Sequence, residues 1–374
     1  MLKKKLSETI YNYWRNIDKG ILFSFITLFI LGLFFSFSST STLAGERLNK
    51  DYYFFFTKHL IFSLSSLFLM IFISNINFKI FNNLIIPLFL IFFLLLMCVP
   101  FLGVEVKGSK RWLDFYLFRL QPIEIVKPFF ILITAKILSD ERIKEINLGY
   151  FLSFLILLSI LILLFFQPDL GQSILLILTW ISIIFIAGLS IIIIFTLLGL
   201  SLAVVSSLVL IFPERFGYIV NRLISFLDPA KGDSFQSQKA LEAIRQGGLK
   251  GQGMGEGILK ENVPEAHTDY IIAVISEEFG SIISIILILL FLYISYRIIK
   301  VSILEKDKNI KISLCGLTSL LIFQTFIHIG VNTSLLPTTG MTLPFLSYGG
   351  SSLFGSGILA GIILNYTRSR ILHE

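Results

Sequence analysis

Pro264-Glu265-Ala266-His267-Thr268-Asp269 gathers two carboxylates and an imidazole immediately ahead of the apolar run YIIAVISEEFG. An acid at the mouth of an apolar segment can serve as a general base if its pKa is raised toward neutrality. The same residues can equally open a helix, with proline in the first turn and Thr268 or Asp269 as its N-cap. The two readings pull the acid in opposite directions. A helix N-terminus lowers a carboxylate's pKa, whereas an apolar cleft raises it. Glu277 and Glu278 follow two turns deeper in the same run. Ionised carboxylates at that depth are costly unless paired, so they require a cation or a water-filled cavity, as an interhelical salt bridge or a substrate contact.

A second constellation is basic. Gly108-Ser109-Lys110-Arg111-Trp112 precedes Leu120-Gln121-Pro122-Ile123-Glu124-Ile125-Val126-Lys127. Lys110 and Arg111 suit an anion held at an interface, since guanidinium binds phosphate through paired hydrogen bonds; headgroup anchoring by Trp112 and its basic neighbours is the plainer reading. Glu124 and Lys127, three residues apart, share one helix face and can pair.

A third stretch, Pro337-Thr338-Thr339-Gly340-Met341-Thr342-Leu343-Pro344, leads into Ser347-Tyr348-Gly349-Gly350-Ser351-Ser352. Bent backbone between apolar spans must be buried in protein or line a cavity, unless it is an ordinary external loop. Gly349-Gly350 would allow main-chain amides close to a ligand, in the manner of an anion nest. Gln167-Pro168-Asp169-Leu170-Gly171-Gln172 reads as a turn, with Asp169 capping the next helix.

The elements that carry these residues are set by composition. Of 374 residues, 55% are hydrophobic and 15% charged, and the mean hydropathy is +0.85. Too few polar side chains remain to coat a soluble globule of this size. A crossing takes about 20 apolar residues, and the apolar runs place ten spans near 20–43, 56–74, 84–102, 122–138, 149–166, 170–187, 190–212, 270–296, 312–331 and 353–367. The expected fold is all-α, a polytopic transmembrane helix bundle forming one integral domain over 1–374. The fourth span is short and charged, so protein rather than lipid must surround it. The first is read as a retained span rather than a signal peptide.

Short basic segments, Lys3–Lys5 with Arg15 and Lys19, and Arg297 to Lys311, place both termini on the cytoplasmic side. The segment 104–120, with Lys107, Lys110, Arg111 and Arg119, then lies outside against that bias. The excess of cations, net charge +7, has no basic stripe with interleaved aromatics, so no nucleic acid is expected. Cys98 and Cys315 suggest neither disulfide nor zinc site. The largest outer loop, 213–268, opens with the amphipathic FPERFGYIVNRLISFLDP, able to lie along a membrane surface. It continues as helical DSFQSQKALEAIRQGGL and a glycine-rich turn region. A loop of that length with helical segments is expected to be ordered and functional.

PEAHTD, PTTGMTLPFLSYGGSS, and GSKRW followed by QPIEIVK together resemble the SEDS family (FtsW and RodA) over nearly the whole chain. The alanine of PEAHTD and the PTTGMTLP wording are closer to the division branch, FtsW, than to the elongation branch. Two departures stand out: Ile123 occupies the family's serine in QPSE, and Ser276 precedes Glu277-Glu278 where the family has glycine.

The resemblance implies a peptidoglycan glycosyltransferase that polymerises lipid II on the outer face of the cytoplasmic (inner) membrane, at the division septum. Asp269 matches the family's aspartate and would take the proton from the 4-hydroxyl of the acceptor N-acetylglucosamine. That oxygen attacks C1 of the donor's N-acetylmuramic acid and expels undecaprenyl pyrophosphate with inversion. Glycosidases need a second carboxyl to protonate their leaving oxygen. Pyrophosphate leaves as a stable anion and needs positive charge instead, from Lys110, Arg111 or a divalent cation, magnesium or manganese. Implied substrate contacts are Lys110, Arg111, Glu124, Lys127, Glu265, His267, Thr268, Glu278, Ser347, Gly349, Gly350 and Ser351. Implied partners are a class B penicillin-binding transpeptidase, divisome membrane proteins and membrane lipid. Two alternatives stay open: a lipid II flippase, and a non-catalytic scaffold for the transpeptidase.

Overall fold

The computed structural model describes residues 13–48, 53–106, 108–116, 118–141, 148–211, 213–228 and 235–368. The cations expected at Lys3–Lys5 and Lys107 lie outside these residues. Helices α1 (Lys19–Leu48), α2 (Phe54–Asn75), α3 (Phe78–Leu102), α4 (Pro122–Ser139), α5 (Leu148–Phe166) and α6 (Leu170–Ala187) form the first part of the bundle. They are followed by α7 (Ile191–Ile211), α8 (Pro213–Leu227), α9 (Phe235–Gly247), α10 (Ile271–Ile303), α11 (Lys308–Asn332) and α12 (Gly350–Arg368). Every apolar run expected to span coincides with a helix. Among the described residues, seven are long and apolar enough to cross a membrane: α1, α2, α3, α5, α6, α10 and α11.

The core sits where α4, α11 and α12 meet. α4 is buried along almost its whole length, Glu124 and Lys127 included. A helix carrying those charges avoids lipid because neighbours satisfy them, as its composition required. α4 packs on α3 and α11, α12 on α2, and α11 on α6 and α10.

The segment after α3 was expected only as a charged outer loop, and it folds as a small antiparallel sheet. Strands β1 (Val104–Val106), β2 (Ser109–Asp114) and β3 (Arg119–Leu120) lie in that order. Glu105 stands opposite Lys110, and Asp114 opposite Arg119. Asp114 is exposed, and the Tyr116 amide and the Arg119 guanidinium hold its carboxyl below the usual carboxylate range. The signal was present in the sequence: alternating VEV, a turn glycine at Gly108 with φ +77°, then a second strand.

The amphipathic stretch of the large loop forms α8 and the KALEAIRQG stretch forms α9, ending at Gly247 as expected. The remainder of the loop docks on α10. That helix is broken at Gly280 (φ 84°, ψ 167°). The break leaves carbonyls before it and amides after it without helical partners. Loop backbone supplies them. The Gln252 and Gly253 amides donate to the Glu277 and Glu278 carbonyls at 2.8 and 3.0 Å, and the Ser281 amide donates to the Gly248 carbonyl at 2.9 Å. Only glycine fits at 280, since any Cβ there would collide with the Leu249 carbonyl.

Candidate functional site

The PEAHTD turn is built around one carbonyl. Glu265 takes a left-handed conformation (φ 55°), and its carbonyl accepts from the amides of Thr268, Asp269 and Tyr270 at 3.0, 3.1 and 3.3 Å. The Thr268 hydroxyl donates to Glu265 Oε2 at 2.9 Å. A non-glycine residue held at positive φ stores strain of the kind that gathers at functional sites. α10 then begins at Ile271, with Tyr270 in the N-cap position and no side-chain cap of its own. Neither Thr268 nor Asp269 is the N-cap, so the capping alternative read from sequence is corrected: the tight turn at Glu265 delays the helix by a residue.

The third stretch wraps this turn. Ser347 Oγ donates to the Thr268 carbonyl at 2.6 Å, and the Tyr348 amide donates to the His267 carbonyl at 2.9 Å. The His267 ring lies against Phe55, 4.8 Å between centroids. Gly340, at φ +70°, faces the half-buried Asp269: a Cβ placed there would sit 3.5 Å from Oδ2. The expected nest at Gly349-Gly350 is not formed. Neither glycine takes positive φ; the pair opens α12 instead, with Gly350 against the Phe62 ring. Ser351 Oγ accepts from the Gln121 amide at 2.8 Å and donates to the Arg119 carbonyl at 3.1 Å, joining this stretch to the basic one.

Arg111 and Lys110 divide. Arg111 Nε donates to the Gln167 carbonyl at 3.1 Å, Nη2 donates to the Pro168 carbonyl, and Asp169 Oδ2 lies 3.7 Å from Nε. Lys110 is exposed. Asp169 caps α6 through the Gln172 amide, as expected, and also accepts from Gln121 Nε2 at 3.3 Å. Burial pushes its carboxyl above the usual range, while Arg111 and the Gln172 amide act in the opposite sense.

Below this lies a buried polar cluster. Lys127 Nζ is 2.9 Å from Glu124 Oε2 and donates to Gln172 Oε1 at 2.9 Å and Gln324 Oε1 at 3.3 Å. Gln172 Nε2 donates to Glu124 Oε1 at 2.6 Å. A crevice lined by Glu124, Lys127, Gln324, Pro344, Phe345 and Ser356 opens beside it. Ile123, in place of the family serine, is fully buried.

Glu278 is held elsewhere. It pairs with Lys260 and accepts from Ser38 Oγ, all inside the protein. Glu277 Oε1 accepts from the Leu259 amide at 2.7 Å. Both acids therefore have resident partners in the loop, and the structure does not bring Glu278 to Asp269. Lys260 and Gln324 stand in none of the motifs read from sequence, while Gln172 enters there only as part of the 167–172 turn and Arg222 only as part of the amphipathic stretch. Arg222, on the polar face of α8, donates to the Thr338 carbonyl at 3.1 Å, two residues from Gly340.

The segments before α4, between α5 and α6, before α10 and between α11 and α12 thus meet at one end of the bundle. They are alternate connections, as the expected crossings require. Among the described residues no three His, Cys, Asp or Glu side chains cluster to hold a metal.

Comparison with known proteins follows the same lines. The family pattern of FtsW, RodA and SpoVE, described as cell cycle protein, matches residues 19–371. A Caulobacter vibrioides protein named "Probable peptidoglycan glycosyltransferase FtsW" is 35% identical over 96% of this chain and 91% of its own. Stage V sporulation protein E of Bacillus subtilis is 34% identical over 95% and 98%. A chain from a solved peptidoglycan synthase complex superposes with a TM-score of 0.77 at 25% identity, covering 95% of this chain and 98% of that one. The Thermus thermophilus rod shape determining protein RodA shares the fold, with a TM-score of 0.69. Helix order, the three motif stretches and these likenesses agree: the chain belongs to the FtsW/RodA/SpoVE family of cell cycle proteins.

Proposed function

We propose that the protein is a peptidoglycan glycosyltransferase of the cytoplasmic membrane that polymerises lipid II, with Asp269 as general base. The observation that carries this is the placement of Asp269: half-buried, at the mouth of α10, its carboxylate beside Gly340 and at the same end of the bundle as the basic β2 strand. The 4-hydroxyl of the acceptor sugar gives its proton to Asp269 as its oxygen bonds to C1 of the donor. The bond from C1 to the pyrophosphate oxygen breaks, and undecaprenyl pyrophosphate departs with that electron pair. Inversion follows from attack opposite the leaving group. Lys110, exposed on β2, can meet the pyrophosphate, and Arg111 shapes the adjoining turn.

Relatives bearing glycosyltransferase names, and a structural neighbour from a synthase complex, support the activity and a transpeptidase partner. Cytoplasmic termini and a septal role in division, among other divisome proteins, complete the proposal. Glu124 and Lys127 could line a flippase path, but each is satisfied by Gln172 and by the other, which gives translocation less support than chemistry.

Purified protein in detergent, given lipid II with and without a class B transpeptidase, tests this. Wild type is expected to make glycan strands and Asp269→Asn none, with unchanged membrane insertion. Full activity of Asp269→Asn overturns the assignment. Lipid movement across vesicles without polymer points to a flippase, and neither activity with the transpeptidase present points to a scaffold.

A further inference from the structure

One face of α11 carries three buried polar residues four apart, Gln324, His328 and Asn332. That spacing stacks side chains above one another on a helix. Each of them holds backbone around the acid. Gln324 Nε2 donates to the Thr342 carbonyl at 3.1 Å. His328 Nδ1 lies 2.7 Å from the Met341 carbonyl, which can only accept, so Nδ1 carries the proton.

Asn332 completes the series. Its Nδ2 donates to the Asp269 carbonyl at 2.9 Å and to the His328 carbonyl at 2.8 Å, and its Oδ1 accepts from the Ala273 amide at 3.2 Å. Two carbonyls and one amide admit only this orientation of the carboxamide. The first amides of a helix lack intrahelical acceptors, and α10 has no side-chain cap at its own N-cap residue. Asn332 shares the Ala273 amide with the Tyr270 carbonyl, 3.0 Å away, and so caps α10 from the neighbouring helix.

We propose that Asn332 is a positioning residue for Asp269, fixing the acid's backbone to the same helix that holds the Gly340–Thr342 segment opposite its carboxylate. This deepens, and rests on, the reading of Asp269 as the base. Asn332 is 0% exposed, so it acts through Asp269 and touches no substrate. A rigid helix sets the acid's direction more narrowly than two loops would. A misplacement of the order of 1 Å can cost ~100-fold in rate.

The test uses the full-length protein in detergent polymerising lipid II, with the folded fraction measured for each variant. Asn332→Leu removes all three hydrogen bonds with little change in volume. Its kcat per folded enzyme is expected to fall ~10- to 100-fold, with KM for lipid II unchanged. A merely structural role would lower the folded fraction and leave kcat per folded enzyme at the wild-type value, and that result overturns the proposal. Should Asn332→Leu not fold, Asn332→Ala decides on the same split, because its cavity admits water to the freed groups. Asp269→Asn is assayed alongside. If it is active, the base reading fails; if it is inactive while the Asn332 variants keep wild-type kcat, only the positioning inference falls.

Discussion

Lys260, from the loop that covers α10, and Glu278, on the helix itself, form an ion pair in which neither side chain reaches solvent. Removing one member of a buried pair leaves an uncompensated charge, at a cost of about 3–5 kcal/mol. Lys260→Met is therefore expected to lower the melting temperature sharply in detergent. Adding Glu278→Gln should recover most of the loss, which a thermal melt of both variants checks.

Gly280 lies where the loop backbone meets the break in α10. Gly280→Ala puts a Cβ against the Leu249 carbonyl and holds alanine at a φ of 84°. A loss of about 1–3 kcal/mol from backbone strain alone is expected. Hydrogen exchange should report it first at the amides of Gln252, Gly253 and Ser281, and unchanged protection there would contradict the docking.

Arg111 and Lys110 should separate by pH and by salt. The folded Asp169 carboxyl lies above its ordinary value, so its contribution to stability declines as pH rises through that folded value. Arg111→Gln removes the cation that favours the ionised form and raises the carboxyl further. Its destabilisation is expected to be largest at neutral pH and to shrink as pH falls and Asp169 takes up a proton, as melting curves across pH will show. Lys110→Gln, on an exposed strand position, should leave stability nearly unchanged and raise KM for lipid II, an effect that weakens at high salt.

Gly340→Val crowds Asp269 Oδ2 and imposes a φ of +70° on a branched residue. Polymer formation is expected to fall at least ~10-fold with the fold retained, measured as kcat per folded enzyme.

The helices were legible because membrane crossing leaves a plain record of apolar length, and the fourth span's burial was legible because Glu124 and Lys127 had to be satisfied somewhere. Asp169 as a cap was equally readable from its turn. The three strands are hard to read because VEV and SKRWLD show their charges more plainly than their alternation. Gln324, His328 and Asn332 were visible as polar residues four apart within an apolar run, but their partners lie in another segment and no spacing announces them. Lys260 sits in LKEN, a string that reads as solvated surface until α10 presents Glu278 to it.

The mended break in α10 has a consequence for how the outside and the interior of the protein communicate. Lifting residues 248–253 away would strip hydrogen bonds from the carbonyls of Glu277 and Glu278 and from the Ser281 amide. The strap and the transmembrane rod are therefore coupled through their backbones. A force applied to the exposed tip of that strap is delivered into the helix that begins two residues after the acid.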